Sequence, residues 1–119
     1  MPVGMRDVIE QDTYFGRMNA PSGSACIKGL CGEEMEFYLV IEDGMIREVT
    51  YYTEGCVYTR ACAIMAAHYV SGTPIEDALR ISPQQIIEAV PFLPHSHMHC
   101  AILAVNTLHK ALADYLLKP

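Results

Sequence analysis

Positive charge is scarce and scattered in this chain of 119 residues, which has 8 lysine and arginine residues against 14 aspartate and glutamate residues. The formal net charge is -6 at pH 7 with neutral histidines. Affinity for nucleic acids comes mainly from clustered lysine and arginine side chains that neutralise phosphates. The composition therefore argues against nucleic acid as a partner.

Long apolar runs are also missing. No stretch reaches the roughly 18 consecutive apolar residues of a membrane span. The opening segment MPVGMRDVIEQDTYF lacks the basic start and apolar centre of a signal peptide. We therefore expect a soluble, cytoplasmic protein without membrane contact. The 51% hydrophobic content fits one compact domain with a real core.

Cysteine pairs of the C-x-x-C type are absent, although the chain has 5 cysteines: Cys26, Cys31, Cys56, Cys62 and Cys100. An odd number of cysteines without an export signal indicates reduced thiols or metal ligands rather than a disulfide framework. Any metal site must then be assembled by the fold from residues that are distant in sequence.

Strand patterns dominate the first half of the chain. Residues 34–42 alternate between apolar and polar, which predicts a half-buried strand. Asp43 and Gly44 suit a type I′ turn, and β-branched and aromatic residues follow at 45–53, so the pattern predicts a β-hairpin. The segment from Ser22 to Ile27 predicts a third strand at the edge of the sheet.

Helical spacing replaces the alternation after Gly55. The first predicted helix ends at Gly72. Its predicted buried stripe is Tyr58, Ala61, Cys62, Met65 and Tyr69. Two capping boxes with proline at the first helical position, Thr73–Glu76 and Ser82–Gln85, predict the starts of two short amphipathic helices. A long terminal helix is predicted from about Met98. Strands followed by helices indicate an α+β fold, a small antiparallel sheet of about three strands with helices packed on one face.

Three cysteines lie at predicted junctions: Cys31 before the hairpin, Cys56 where the hairpin ends, and Cys100 in the first turn of the last helix. Helix N-termini lower the pKa of a thiol from ~8.5 into the range ~3.5 to 7.5, so Cys56 and Cys100 are the better thiolate candidates. Glu33 points the same way as Cys31 in an extended chain. The alternative for Glu33 is a solvated charge at a strand edge.

The stretch LPHSHMHC places three histidines directly before the helix of Cys100. His97 shares a helical face with Cys100 at i, i+3 spacing, and His99 would lie beside the thiolate. We interpret His95 as a surface residue. Whether His97 or His99 binds a metal is left open by the spacing alone.

The remaining cysteines and histidines favour structural interpretations. Cys62 lies on the predicted buried stripe, and free cysteine packs as a small hydrophobe. Cys26 lies in the predicted edge strand, and the sequence leaves its role undecided. His68 and His109, within predicted helices, are interpreted as surface or partly buried residues.

These segments together resemble the IscU/NifU-type scaffolds for iron–sulfur cluster assembly (the NifU N-terminal-like domain). The matching segments are ACIKGLCGEEMEFYLVIEDGMIREVTYYTEGC, YVSGTPIEDAL, LPHSHMHC and ALADYL. Family members carry Cys-Gly-Asp before the central strand, Gly-Cys at the end of the hairpin and His-Cys at the start of the last helix. The corresponding residues here are Cys31-Gly32-Glu33, Gly55-Cys56 and His99-Cys100.

The resemblance implies a carrier protein rather than an enzyme. It implies that a cysteine desulfurase supplies sulfur, that the sulfur combines with iron as a labile [2Fe-2S] cluster, and that the cluster passes to acceptor apo-proteins. Zinc can occupy the same site. The implied ligands are Cys31, Glu33, Cys56, His99 and Cys100, with Cys100 as the sulfur acceptor. Thiolates with a carboxylate or imidazole suit both iron–sulfur clusters and zinc.

Departures from the family pattern mark a divergent member. Glu33 stands where the family has aspartate, and Val57 replaces the small residue that usually follows the second cysteine. The chaperone-docking run Leu-Pro-Pro-Val-Lys is here LPHSH, so docking to the specialised Hsp70 chaperone is not expected.

The predicted organisation is a single scaffold-like domain over residues 22–119, preceded by a partly mobile arm at 1–21. Two other functions compete with the scaffold. One is a zinc-binding sulfur acceptor or desulfurase regulator on the same fold, and the other is a structural or interaction domain. A homodimer is left open.

Overall fold

The computed structural model describes residues 8–9, 12–29 and 32–118. The strands are β1 (Gly23–Lys28), β2 (Glu34–Glu42) and β3 (Met45–Thr53), and the helices that follow are α1 (Val57–Val70), α2 (Ile75–Leu79), α3 (Pro83–Ala89) and α4 (Met98–Leu116). A short 3-10 turn, His95–His97, leads into α4. The sheet is antiparallel in the order β1-β2-β3. The predicted α+β fold is confirmed.

The β2–β3 hairpin forms at the predicted turn. Asp43 and Gly44 have φ angles of 53° and 73°, and a type I′ turn requires positive φ at both positions. Alternate residues of β2 are buried and form the sheet side of the core: Met35, Phe37, Leu39 and Ile41. The helices cover this face. Among the described residues, no helix has both the length and the apolar character that a bilayer crossing requires.

A close approach of β1 to α4 aligns the two elements. A Cβ atom on Gly23 would lie 2.5 Å from the carbonyl oxygen of Ala111, so only glycine fits there. Near the other end of the strand, a Cβ on Gly29 would lie 3.1 Å from Leu103. The end of β1 therefore lies beside the start of α4, which brings the segment before β2 close to the first turn of α4.

The predicted buried stripe of α1 is wrong at Tyr69, whose side chain is 43% exposed, while Met65 and Tyr58 are half-buried. The reason is that small side chains bury several faces of α1, which packs against β3, α3 and α4. The buried residues are Thr59, Ala61, Cys62, Ala63, Ile64, Ala66, Ala67 and Val70. Cys62 is fully buried, as its interpretation as a core cysteine requires, and burial raises the pKa of its thiol.

The two predicted capping boxes have different outcomes. Ser82 forms its box, because its hydroxyl accepts from the N–H of Gln85 and its own N–H donates to the side chain of Gln85. The box at Thr73 is wrong. Its hydroxyl donates to the carbonyl of Val70 at 2.8 Å, and its own carbonyl accepts from Ile46 of β3. Thr73 thus completes the end of α1 and pairs with the hairpin, and α2 is left with Pro74 as its N-cap.

The described part of the N-terminal arm packs along β3. The N–H of Tyr51 donates to the carbonyl of Tyr14 at 2.9 Å, and the N–H of Gly16 donates to the carbonyl of Tyr51 at 2.8 Å. The carboxylate of Asp12 accepts from the Tyr51 hydroxyl at 2.6 Å and from the Arg60 guanidinium at 3.0 Å. This network joins the arm to α1. The arm's mobility and its boundary at residue 21 stay predictions.

Candidate metal and cluster site

Three elements bring the predicted site residues together. Glu33 directly precedes β2, Cys56 is the N-cap of α1, and His99 and Cys100 lie in the first turn of α4. They line one open cavity of about 310 Å³. The lining residues are Glu33, Cys56, Thr59, Ser96, His97, His99 and Cys100. The fifth predicted ligand, Cys31, lies outside the described residues.

Glu33, His99 and Cys100 offer ligand atoms that all lie within 4.8 Å of one another. The His99 Nε2 atom is 3.3 Å from Glu33 Oε1 and 3.8 Å from Cys100 Sγ. Zinc bonds of ~2.0 to 2.3 Å in a tetrahedral arrangement separate ligand atoms by about 3.3 to 3.8 Å. Both distances from His99 Nε2 fall in this range, which suits a shared metal ion with other ligands completing the shell.

The Glu33 carboxylate has a buried oxygen atom that a cation could bind. Its side chain is 12% exposed, and within the described part of the chain its buried Oε1 has no hydrogen-bond partner. The His99 ring is at ion-pair distance but lacks the alignment of a hydrogen bond. Buried polar atoms are normally hydrogen-bonded, and an exception needs an explanation. A metal ion between carboxylate, imidazole and sulfur would satisfy this oxygen.

Cys56 combines exposure with a lowered pKa. Burial raises the pKa of its thiol, but the Thr59 hydroxyl and the backbone N–H groups of Thr59 and Tyr58 outweigh burial and hold the pKa below its usual value. The N–H groups act on the sulfur without forming a conventional capping hydrogen bond. The direction of this shift agrees with the expectation for a thiol at a helix N-terminus.

Comparison with known proteins identifies the fold family. The sequence matches the NifU-like N-terminal domain over residues 7–119. The chain belongs to this family. It is 36% identical over 89 residues to the iron–sulfur cluster assembly scaffold protein IscU 1 of Archaeoglobus fulgidus, a match that covers 75% of this chain and 58% of that relative. The chain therefore spans less than two thirds of that protein's length.

Two further comparisons cover nearly the whole chain. Identity to the iron–sulfur cluster assembly scaffold protein IscU of Haemophilus influenzae is 31% over 117 residues, covering 98% of this chain and 86% of the relative. The solved NifU-like protein (N-terminal) from Brucella abortus superposes with a TM-score of 0.77 at 14% identity, covering 97% of this chain and 93% of that one. At this low identity, the similarity to the Brucella abortus protein concerns the fold alone.

Two residues that line the cavity of this NifU-like domain, Thr59 and Ser96, were not predicted from the sequence. Thr59 is 1% exposed, and its Oγ1 atom lies 3.5 Å from both Cys56 Sγ and Cys100 Sγ. Its position three residues after Cys56, at the start of a helix, was a usable signal, because residues i and i+3 are neighbours on a helix.

The other histidines and cysteines of the NifU-like domain divide between the cavity and its surroundings. His97 lines the cavity, and its ring packs 4.6 Å from the ring of Tyr58 and 6.0 Å from that of His99. His95 is exposed, as expected. Cys26 is exposed on β1, and neither it nor the buried Cys62 lines this cavity.

Proposed function

We propose that this protein is a scaffold on which an iron–sulfur cluster is assembled and from which it is passed to acceptor proteins. The main support is that the side chains of Glu33, Cys56, His99 and Cys100 line one open cavity. Family membership and the scaffold relatives support the same role. We also propose that the protein acts as a carrier and not as an enzyme.

The cargo that fits this ligand set best is a [2Fe-2S] cluster. Such clusters are held by cysteine thiolates, and histidine can replace cysteine on one iron. Cys56 and Cys100 would supply sulfur ligands, and His99 and Glu33 would complete or exchange with the remaining position. Cys31, outside the described residues, would supply the third thiolate. A carboxylate or imidazole in place of a thiolate suits a cluster that must be released.

Sulfur would enter as a persulfide from a cysteine desulfurase. In this step the Cys100 thiolate attacks the outer sulfur, a new S–S bond forms at Cys100, and the desulfurase cysteine leaves as a thiolate. An external electron donor must then supply two electrons for each sulfur that becomes sulfide. Cys100 is 1% exposed, so delivery has to occur through the open side of the cavity.

The cytoplasmic location and the absence of Hsp70 docking stay predictions.

A zinc-binding sulfur acceptor is the second candidate. The observation that favours it is the close spacing of Glu33, His99 and Cys100, which suits a single ion. In that case sulfur loading would require Cys100 and would proceed without cluster formation.

Anaerobic reconstitution separates these candidates. The wild-type protein is incubated with ferrous iron, cysteine, a thiol reductant and a cysteine desulfurase, and its visible absorption and its iron, sulfide and zinc contents are measured. We expect charge-transfer bands and near-equal iron and sulfide. Cys56→Ser should lose them, whereas Cys26→Ser, which alters an exposed cysteine outside the cavity, should retain them. A colourless wild-type protein that retains zinc and gains no sulfide would contradict the scaffold proposal.

A further inference from the structure

One buried hydroxyl connects the two described sulfur ligands of the cavity. The Thr59 Oγ1 atom lies 3.5 Å from Cys56 Sγ and 3.5 Å from Cys100 Sγ. Both separations are short enough for a hydrogen bond to sulfur. Thr59 belongs to the first turn of α1, whereas Cys100 belongs to α4, so the hydroxyl lies where these two helices meet.

The surroundings of Thr59 hold its side chain in this position. The residue is 1% exposed. A Cβ atom on Gly55 would lie 3.0 Å from the Cβ, Cγ2 and Oγ1 atoms of Thr59, so the chain before Cys56 packs directly against this side chain. Of the two groups on the Cβ of Thr59, the hydroxyl is the one that can hydrogen-bond to the two sulfurs, so its contribution can be separated from that of the methyl group by substitution.

A hydroxyl has one proton, so it can donate to only one sulfur at a time. In the metal-free protein it can donate to one sulfur and accept from the thiol of the other. When both sulfurs are metal-bound thiolates, it can only donate. Hydrogen bonds to the ligand sulfurs tune iron–sulfur and zinc sites, and loss of such outer partners typically lowers metal affinity about 10- to 100-fold.

We propose that Thr59 is a positioning residue that holds the Cys56 and Cys100 sulfurs at a common distance from one hydroxyl and donates a hydrogen bond to one of them when the site is loaded. Its hydroxyl, rather than its methyl group, then determines how tightly the site holds metal. This inference rests on the proposed function, because it requires that both sulfurs be ligands.

The test compares Thr59→Val, which keeps the shape and removes the hydroxyl, with Thr59→Ser, which keeps the hydroxyl and removes the methyl group. Zinc affinity is measured by competition with a chelator, and Co²⁺ is used as a spectroscopic probe of thiolate ligation. We expect Thr59→Val to raise the Kd for zinc about tenfold or more and Thr59→Ser to stay within about threefold of wild type. The thiolate-to-cobalt absorption band should shift in Thr59→Val and not in Thr59→Ser.

A purely packing role for Thr59 predicts the opposite order, with the serine variant weaker than the valine variant. That order, or a valine variant with wild-type affinity and an unshifted cobalt band, would overturn the inference and leave the scaffold proposal standing. A wild-type protein that binds neither zinc nor cobalt would overturn both. Thermal unfolding of the metal-free variants checks the fold, and Thr59→Ala replaces Thr59→Val if the valine variant is unfolded.

Discussion

Replacing Glu33 with glutamine is expected to weaken zinc binding by at least about 100-fold. Removing an outer partner of a metal ligand typically weakens binding by about 10- to 100-fold, and Glu33 is proposed as a ligand itself. Glu33 Oε1 is buried, has no hydrogen-bond partner in the described residues and lies 3.3 Å from His99 Nε2. Glutamine keeps the side-chain length and removes the negative charge that compensates a cation. The same variant should lose cluster during reconstitution.

The adjacent residue supplies a matched control for this prediction. Glu34 is exposed at the start of β2 and does not line the cavity of Cys56 and Cys100. Glu34→Gln makes the same chemical change one position away and should retain zinc affinity within about twofold, as expected for a change at a solvated surface charge. Chelator competition measures both variants, and equal affinities would show that Glu33 is not a ligand.

Glu33→Asp tests the length of the side chain separately from its charge. The family that this sequence resembles has aspartate at this position. In this protein the longer glutamate places its carboxylate at ion-pair distance from His99. Removing one methylene withdraws the carboxylate by about 1.5 Å, one carbon–carbon bond length. We expect zinc affinity between those of the wild-type and Glu33→Gln proteins.

Replacing Asp12 with alanine is expected to destabilise the protein by about 2 to 4 kcal/mol, because it leaves buried polar partners without an acceptor. The Asp12 side chain is 4% exposed and accepts hydrogen bonds from the Tyr14 N–H, the Tyr51 hydroxyl and the Arg60 guanidinium. Tyr51 is fully buried, and Arg60 is partly buried, with its side chain 32% exposed. The partial exposure of Arg60 keeps the expected loss below that of a fully buried ion pair.

The loss should appear as a decrease in Tm of about 10 °C, given the entropy of unfolding of a domain of this size. Glu48→Ala, at an exposed position of β3, serves as the control and should change stability by no more than about 0.5 kcal/mol. Thermal and denaturant unfolding of the metal-free proteins measure both effects. Equal Tm values for Asp12→Ala and wild type would show that the arm does not contribute to the fold.

Features set by local sequence were predictable. The Asp43-Gly44 turn, the alternation of β2 and the Ser82 capping box each depend on a few neighbouring residues, and the structure contains all of them. The junction positions of Cys56 and Cys100 followed from the same local patterns. The two positions could be brought to one site only through the resemblance, because local patterns do not define how α4 lies against α1.

Features set by tertiary contacts were predicted wrongly or missed. The hydroxyl of Thr73 is used by the end of α1 instead of α2, and Tyr69 is exposed because alanines supply the burial of α1. The contact of Thr59 with Cys100 joins residues 41 positions apart, and that of Tyr51 with Asp12 joins residues 39 positions apart. No pattern within a single helix or strand contains such pairs.

Cluster transfer tests whether this cavity holds a cluster that it can release to another protein. The reconstituted protein is mixed anaerobically with an apo-ferredoxin that accepts a [2Fe-2S] cluster, and the two proteins are separated and assayed for iron, sulfide and absorption. We expect the cluster to move to the ferredoxin with near-equal iron and sulfide. A cluster that stays on this protein, or iron that moves without sulfide, would contradict the scaffold proposal.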